Sequence, residues 1–153
     1  MTKTIEINVR PCVKADLEKV MAVERAVYGD QCYNQYFFRQ VLDLYPNLFL
    51  IATNQAGHVM GYVLGALGED ANKGWILSLA VGQFYTKQGV GSLLTDQILE
   101  VLKGKNVDEI LLTVDPENDI AMNLYERQGF VEIDSEGDYY QPDEKRVVLR
   151  LEL

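Results

Sequence analysis

Between Trp75 and Leu102 the sequence leaves the chain little freedom. Trp75 to Val81 is almost continuously apolar, as a central strand covered on both faces must be. It leads through Gly82-Gln83-Phe84-Tyr85 into Thr86-Lys87-Gln88-Gly89-Val90-Gly91-Ser92. From Gly89 to Leu102, Val90, Leu93, Leu94, Ile98, Val101 and Leu102 then share one helical side. A buried strand, a glycine turn and an amphipathic helix, in that order, specify a crossover unit of an α/β fold. Glycines let backbone approach a ligand and turn N–H groups outward. The helix start adds partial positive charge, so the turn suits a pyrophosphate. The same glycines also fit a plain strand-to-helix connection with no ligand. A dinucleotide fingerprint would need glycine where Leu94 stands, and a Walker A loop would need Gly-Lys-Ser/Thr, which is absent.

The rest of the chain fits around this unit. Ile5 to Arg10 alternates with period two and predicts a strand. Lys14 to Tyr28 predicts a helix whose inner positions are Leu17, Val20, Met21, Glu24 and Val27. Tyr33 to Leu44 predicts a second, with Tyr36, Phe37, Val41 and Leu44 inward and Pro46 blocking continuation. Leu48–Thr53 and Val59–Leu67 read as a hairpin about Asn54-Gln55-Ala56-Gly57. Glu109–Val114 is a buried strand and Asn118–Gln128 a helix ended by Gly129. Val131–Asp134 and Arg146–Leu153 close the sheet, with Val147, Leu149, Leu151 and Leu153 on one face. The order predicts a mixed sheet with a parallel central pair, as one domain over residues 1–153.

Charge narrows the partners. Fourteen basic against 23 acidic residues give a net charge of −9, the opposite of a nucleic-acid footprint. That field favours a cationic substrate such as an amine, and an anionic ligand must be held by local backbone groups. No membrane helix and no apolar leader are visible, so a cytoplasmic location is expected. Cys12 and Cys32 read as reduced thiols, and no metal site is expected. His58 reads as a surface residue beside the hairpin turn.

The glycine turn resembles the phosphate loop of the GNAT acetyltransferase superfamily, Gln/Arg-x-x-Gly-x-Gly/Ala after a Leu-Ala-Val strand. Thr86 stands at the leading position, and Gly89 and Gly91 match. A second stretch, Val114 to Phe130, is similar to the family's Asn-x-x-Ala-x-x-Leu-Tyr-x-x-x-Gly-Phe segment through Asn118, Ala121, Leu124, Tyr125, Gly129 and Phe130. The resemblance implies the GNAT fold, with about seven strands, about four helices and a splayed parallel pair. It implies acetyl-CoA as acetyl donor, its pyrophosphate over Lys87, Gln88, Gly89, Val90, Gly91 and Ser92. Its pantetheine arm would lie along Leu79, Ala80 and Val81, touched by Asn118. Tyr125 would protonate the departing thiolate. Taken by themselves, Asn118 is a helix cap and Tyr125 a core tyrosine.

Within the superfamily the chain is similar to protein N-terminal acetyltransferases, including ribosomal-protein alanine N-acetyltransferases. Tyr36-Phe37-Phe38, Gly61–Gly65, Ile76–Val81 and Tyr139-Tyr140 carry this. It implies direct attack of a primary amine in a ternary complex, the amine being a protein or peptide N-terminus. Tyr33, Tyr139 and Tyr140 would contact the substrate. Tyr139 and Tyr140 also fit packing against the sheet edge. Thr113 stands where some relatives carry a carboxylate base. Asp30, Glu69, Asp70, Asp115 and Glu117 read as solvated loop charges, so no base is assigned. A small-molecule amine (polyamine, amino sugar or amino acid) and an idle acetyl-CoA-binding module stay open as alternatives, as does a homodimer.

Overall fold

The computed structural model describes residues 6–70, 72–133, 139 and 145–153. Among them, seven strands form one sheet in the order β1-β2-β3-β4-β5-β7-β6. The strands are β1 Asn8–Pro11, β2 Phe49–Thr53, β3 Val59–Leu67, β4 Lys73–Val81, β5 Glu109–Val114, β6 Val131–Glu132 and β7 Val147–Glu152. The helices are α1 Leu17–Tyr28, α2 Gln35–Leu44, α3 Val90–Lys103 and α4 Asp119–Arg127. All the sequence-predicted elements are present. β1 begins later than its alternating pattern suggested and reaches Pro11. The first turn before α1, Lys14–Asp16, is a 3-10 helix. The bidentate Arg10–Asp16 ion pair, at 2.8 and 2.9 Å, ties that turn to β1.

Two cores cover the sheet. On one face α3 and α4 bury Val90, Leu94, Ile98, Leu102, Leu124 and Tyr125 against Met60, Ile76 and Leu112. On the other, α1 and α2 bury Val20, Phe38 and Val41 against Phe49, Ile51 and Tyr62. The inner face of α2 is rotated from the expected one. Phe38, Val41 and Leu42 are buried, whereas Tyr36 and Leu44 are exposed. The side chain of Asn34 accepts the Tyr36 N–H at 2.8 Å and starts α2 two residues after Tyr33, which sets that rotation. Val27 of α1 is likewise exposed.

The β4/β5 pair is parallel, as the β4–α3–β5 crossover requires, but it registers only over Lys73↔Glu109, Gly74↔Ile110 and Trp75↔Leu111. The reason lies on the other side of β4. There Leu64 pairs with Ser78 and Gly65 with Ile76, leaving Leu77 as an extra residue. A bulge bends its strand and locally sharpens the twist, so β4 swings away from β5 just past Trp75. Gly65 permits this close packing, since a Cβ there would stand 2.9 Å from Ile98. The second crossover, β5–α4–β6, does not place β6 beside β5. β7 enters between them, antiparallel to both.

Candidate active site in the strand gap

Past Trp75 the inner edges of β4 and β5 have no ladder partner in each other. The Gly82 N–H bonds to Met60 of β3 at 2.9 Å. Alternation along a strand therefore turns the backbone of Leu79 and Val81 toward the gap and that of Ala80 toward β3. The Tyr28 hydroxyl donates to the Leu79 carbonyl at 2.6 Å, which occupies that acceptor and leaves the amides.

At the gap's end the chain passes through a short 3-10 turn, Gln83–Tyr85, into the glycine turn. Lys87 has φ 63° and Gly89 φ 83°, both left-handed. The first bond of α3 is Leu93 N–H to Gly89 O at 3.0 Å. Among the described residues no backbone N–H from Lys87 to Ser92 makes a close, well-aligned hydrogen bond. These unpaired donors and the start of a 14-residue helix form an anion cradle made of backbone. The Thr86 hydroxyl is turned back to the Gln83 carbonyl at 3.2 Å. A pyrophosphate-bearing cosubstrate fits this donor set.

Tyr125 is buried in α4, 6% exposed, with its ring edge-on to Phe130 at 5.6 Å. Burial lifts its pKa well above the ordinary phenol value, and the neighbouring Tyr28 adds to the effect. The phenol therefore stays protonated and able to donate. Asn118 caps α4, its side-chain oxygen accepting the Ala121 N–H at 3.2 Å. Tyr33 is exposed, its ring tilted by 34° against Phe37 with centroids 4.7 Å apart. Tyr139 is exposed, and Tyr140 lies outside the described residues. Asp30, Glu69, Asp70, Asp115 and Glu117 are exposed, as expected of loop charges. His58 is exposed too. Among the described residues no group of acidic, His and Cys side chains could hold a metal ion.

The sequence reading missed Glu24. It occupies an inner helical position of α1, on a stripe that is otherwise apolar. It is 1% exposed. Its carboxylate accepts the Tyr33 N–H at 3.2 Å and the Tyr62 hydroxyl. The Tyr62 hydroxyl also meets Ser78 Oγ at 3.0 Å. Burial raises the Glu24 pKa against the lowering effect of its two hydrogen bonds. Burial likewise pushes the Tyr28 phenol up to about 12, with the charge of Glu24 adding to it. The available signal was a single carboxylate on a helical face otherwise filled by Val20 and Met21.

A row of backbone donors at the start of α3 opens onto a parallel pair that parts past Trp75, an arrangement that suits a carrier with a phosphate group and an extended arm. The chain belongs to the acetyltransferase (GNAT) family, whose model matches residues 16–130. It is 29% identical over 150 residues to an N-alpha-acetyltransferase of Sulfurisphaera tokodaii, covering 91% of this chain and 89% of that protein. The crystal structure of Ard1 from Thermoplasma volcanium superposes with a TM-score of 0.86 at 26% identity, over 96% of this chain and 97% of that one. A NatC complex bound to Gag peptide and CoA contains a chain matching with TM-score 0.82 at 27% identity, over 97% and 99% of the two chains.

The Glu24 carboxyl has a thermodynamic signature. Its pKa is raised on folding from an ordinary value of 4.5, so the folded protein holds a proton that the unfolded chain has lost. Its contribution must then make the unfolding free energy fall as pH rises from below 4.5 to the raised pKa, and level off above it. Asp16, held low by Arg10, acts in the opposite sense. The difference between wild type and Glu24→Gln isolates Glu24. Urea midpoints across this pH range should show the variant gaining on the wild type as pH rises. A constant difference would mean the carboxyl is not perturbed.

Proposed function

We propose that this protein transfers the acetyl group of acetyl-CoA to the α-amine of a protein or peptide N-terminus. The observation that carries the proposal is the gap itself. It has an amide cradle at one end and free amides of β4 along one wall, and Tyr28, bonded to the Leu79 backbone of that wall, is near enough to Tyr125 to act on its phenol. The relatives named N-alpha-acetyltransferase, and the like-folded chain of the NatC complex with peptide and CoA, support the substrate class. Residues 1–153 act in this reading as one domain, in a cytoplasmic setting that keeps Cys12 and Cys32 as free thiols.

Acetyl-CoA supplies an activated acyl thioester. The amides of Lys87, Gln88, Gly89, Val90, Gly91 and Ser92 hold its pyrophosphate. Leu79 and Val81 present their N–H groups to the arm and to the developing oxyanion, with Ala80 between them keeping β4 on β3. Asn118 spends its side-chain oxygen on the cap and has its amide nitrogen left for the arm. Tyr125 donates its proton to the thiolate as the C–S bond breaks. Tyr33 and Tyr139 border the entry of the peptide.

An α-amine suits a site with Thr113 on β5. Such an amine has a pKa of about 8, so roughly a tenth is neutral at pH 7, while a lysine amine costs about 3 kcal/mol more to deprotonate. The net charge of −9 draws in either cation.

Two measurements test the reading. A panel of peptides, Nα-blocked lysine peptides, polyamines and amino sugars should show thiol release with free-α-amine peptides, and tandem mass spectrometry should place the acetyl on the N-terminal nitrogen. Turnover confined to small amines would overturn the peptide assignment. For the acid, Tyr125→Phe keeps the ring and its packing on Phe130. It should preserve stability and acetyl-CoA affinity and lower kcat by about 10²–10⁴-fold. Full kcat in a stable variant would remove Tyr125 from that role.

A further inference from the structure

We propose that Glu24 is the terminal proton acceptor of the transfer, reached from the substrate amine through the hydroxyls of Ser78 and Tyr62. This rests on the reading that the gap transfers acetyl to an amine.

The geometry is a continuous line of exchangeable protons. Ser78 is half-buried on β4, one residue before Leu79, whose backbone faces the gap. Its Oγ lies 3.0 Å from the Tyr62 hydroxyl. Tyr62, fully buried on β3, donates to Glu24 Oε2 on α1. Glu24 Oε1 is held by the Tyr33 N–H, so the carboxylate is fixed at the inner end of the line. The bulge at Leu77 bears on this too. It lies immediately before Ser78, so the distortion that opens the gap also sets the register at which Ser78 meets Tyr62.

A packing role does not account for a carboxylate here. Among the described residues no cation is paired with Glu24. Burying an unpaired charge is costly, and a glutamine could accept the Tyr33 N–H with its oxygen and donate its amide to the Tyr62 oxygen without that cost. The groups that face it are Tyr62 from β3, Tyr28 from its own helix and Tyr33 from the loop, all neutral phenols or backbone, with Arg146 acting on Tyr28 ahead of β7. With no fixed positive charge beside it, the carboxyl is free to change protonation state. Its raised pKa places it nearer to the amines it would serve than an ordinary glutamate.

The step balances. The ammonium gives one proton to Ser78 Oγ as Ser78 passes its own to Tyr62 and Tyr62 passes its own to Glu24. The neutral nitrogen then forms the C–N bond at the acetyl carbon. When the C–S bond breaks, Tyr125 gives its proton to sulfur and regains one from the acylated nitrogen. The proton left on Glu24 is the one the overall reaction releases to solvent.

The test is a set of pH profiles of kcat and kcat/KM for wild type, Glu24→Gln, Tyr62→Phe and Ser78→Ala, with a free-α-amine peptide. Each variant should lose up to about 10-fold at pH 7, the inverse of the neutral fraction of the amine, and recover toward wild type above the amine pKa of about 8, where neutral amine no longer needs the relay. KM for acetyl-CoA should not move. Combining Glu24→Gln with Ser78→Ala should cost no more than either alone, as parts of one device do. A folded Glu24→Gln variant with wild-type rate and profile would overturn the relay. So would pH-independent losses that multiply in the double variant, which would mark packing. If the two buried variants do not fold, Ser78→Ala decides by the same criterion, because Ser78 is half-buried. A wild type inactive on every peptide would overturn the functional reading and the relay with it. An active wild type with unaltered variants would overturn the relay alone.

Discussion

The extra residue that β4 carries at Leu77 governs the rest of the molecule. Without it, β4 and β5 would continue their parallel ladder beyond Trp75 and Leu111, and the sheet would be closed where the gap now lies. Ladder hydrogen bonds given up along that edge leave backbone donors and acceptors with no partner in the protein, a state that costs free energy if they are dry. Water or a bound arm must satisfy them. Tyr28 covers one acceptor, the Leu79 carbonyl, and the free amides are what give the gap its affinity for a carbonyl- and phosphate-bearing ligand. α3 begins beyond the end of the bent strand, so its unpaired N–H groups extend the same row of donors.

The two faces of the sheet divide the work. The α3/α4 face is nearly all aliphatic, and it carries Tyr125 as a buried donor. The α1/α2 face carries an aromatic cluster, Phe38, Phe49 and Tyr62, whose ring centroids lie 5.4 to 6.4 Å apart. That cluster is the apolar setting in which Glu24 sits. Its rigidity matters, because a buried polar line functions only if every member is held within hydrogen-bond reach. Tyr28 joins the faces. It is bonded to the Leu79 backbone, feels Glu24, and in turn acts on Tyr125.

Much of this was legible in the residues. The apolar run Trp75–Val81 is unbroken and the stripe of α3 has a clean helical period, so their types are as expected and their bounds agree to within a residue or two. The glycine turn was legible because Gly89 marks a left-handed position and Gly91 opens a helix. The Asn118–Phe130 segment placed a cap and a buried tyrosine correctly. What was hidden depends on tertiary register. The Leu77 bulge comes from pairing with β3, and nothing local to Leu77 announces it. The insertion of β7 between β5 and β6 is a matter of sheet order, which periodicity does not encode. Glu24 was hidden because a carboxylate on an inner helical face reads as a pattern break until Tyr62 and Tyr33 are brought to it. The rotation of α2 followed from where Asn34 caps it, and the apolar spacing of Tyr36 and Leu44 gave no sign of that.

The central claim is that the unpaired amides of β4 and the glycine turn are the surface on which the acyl donor lies. Amide hydrogen exchange with and without saturating acetyl-CoA measures this directly. The amides of Leu79 and Val81, and those from Lys87 to Ser92, should become strongly protected when the donor is added, while β2, paired on both sides by β1 and β3, stays as it was. Protection confined to other elements, or none at these amides under saturation, would contradict the account.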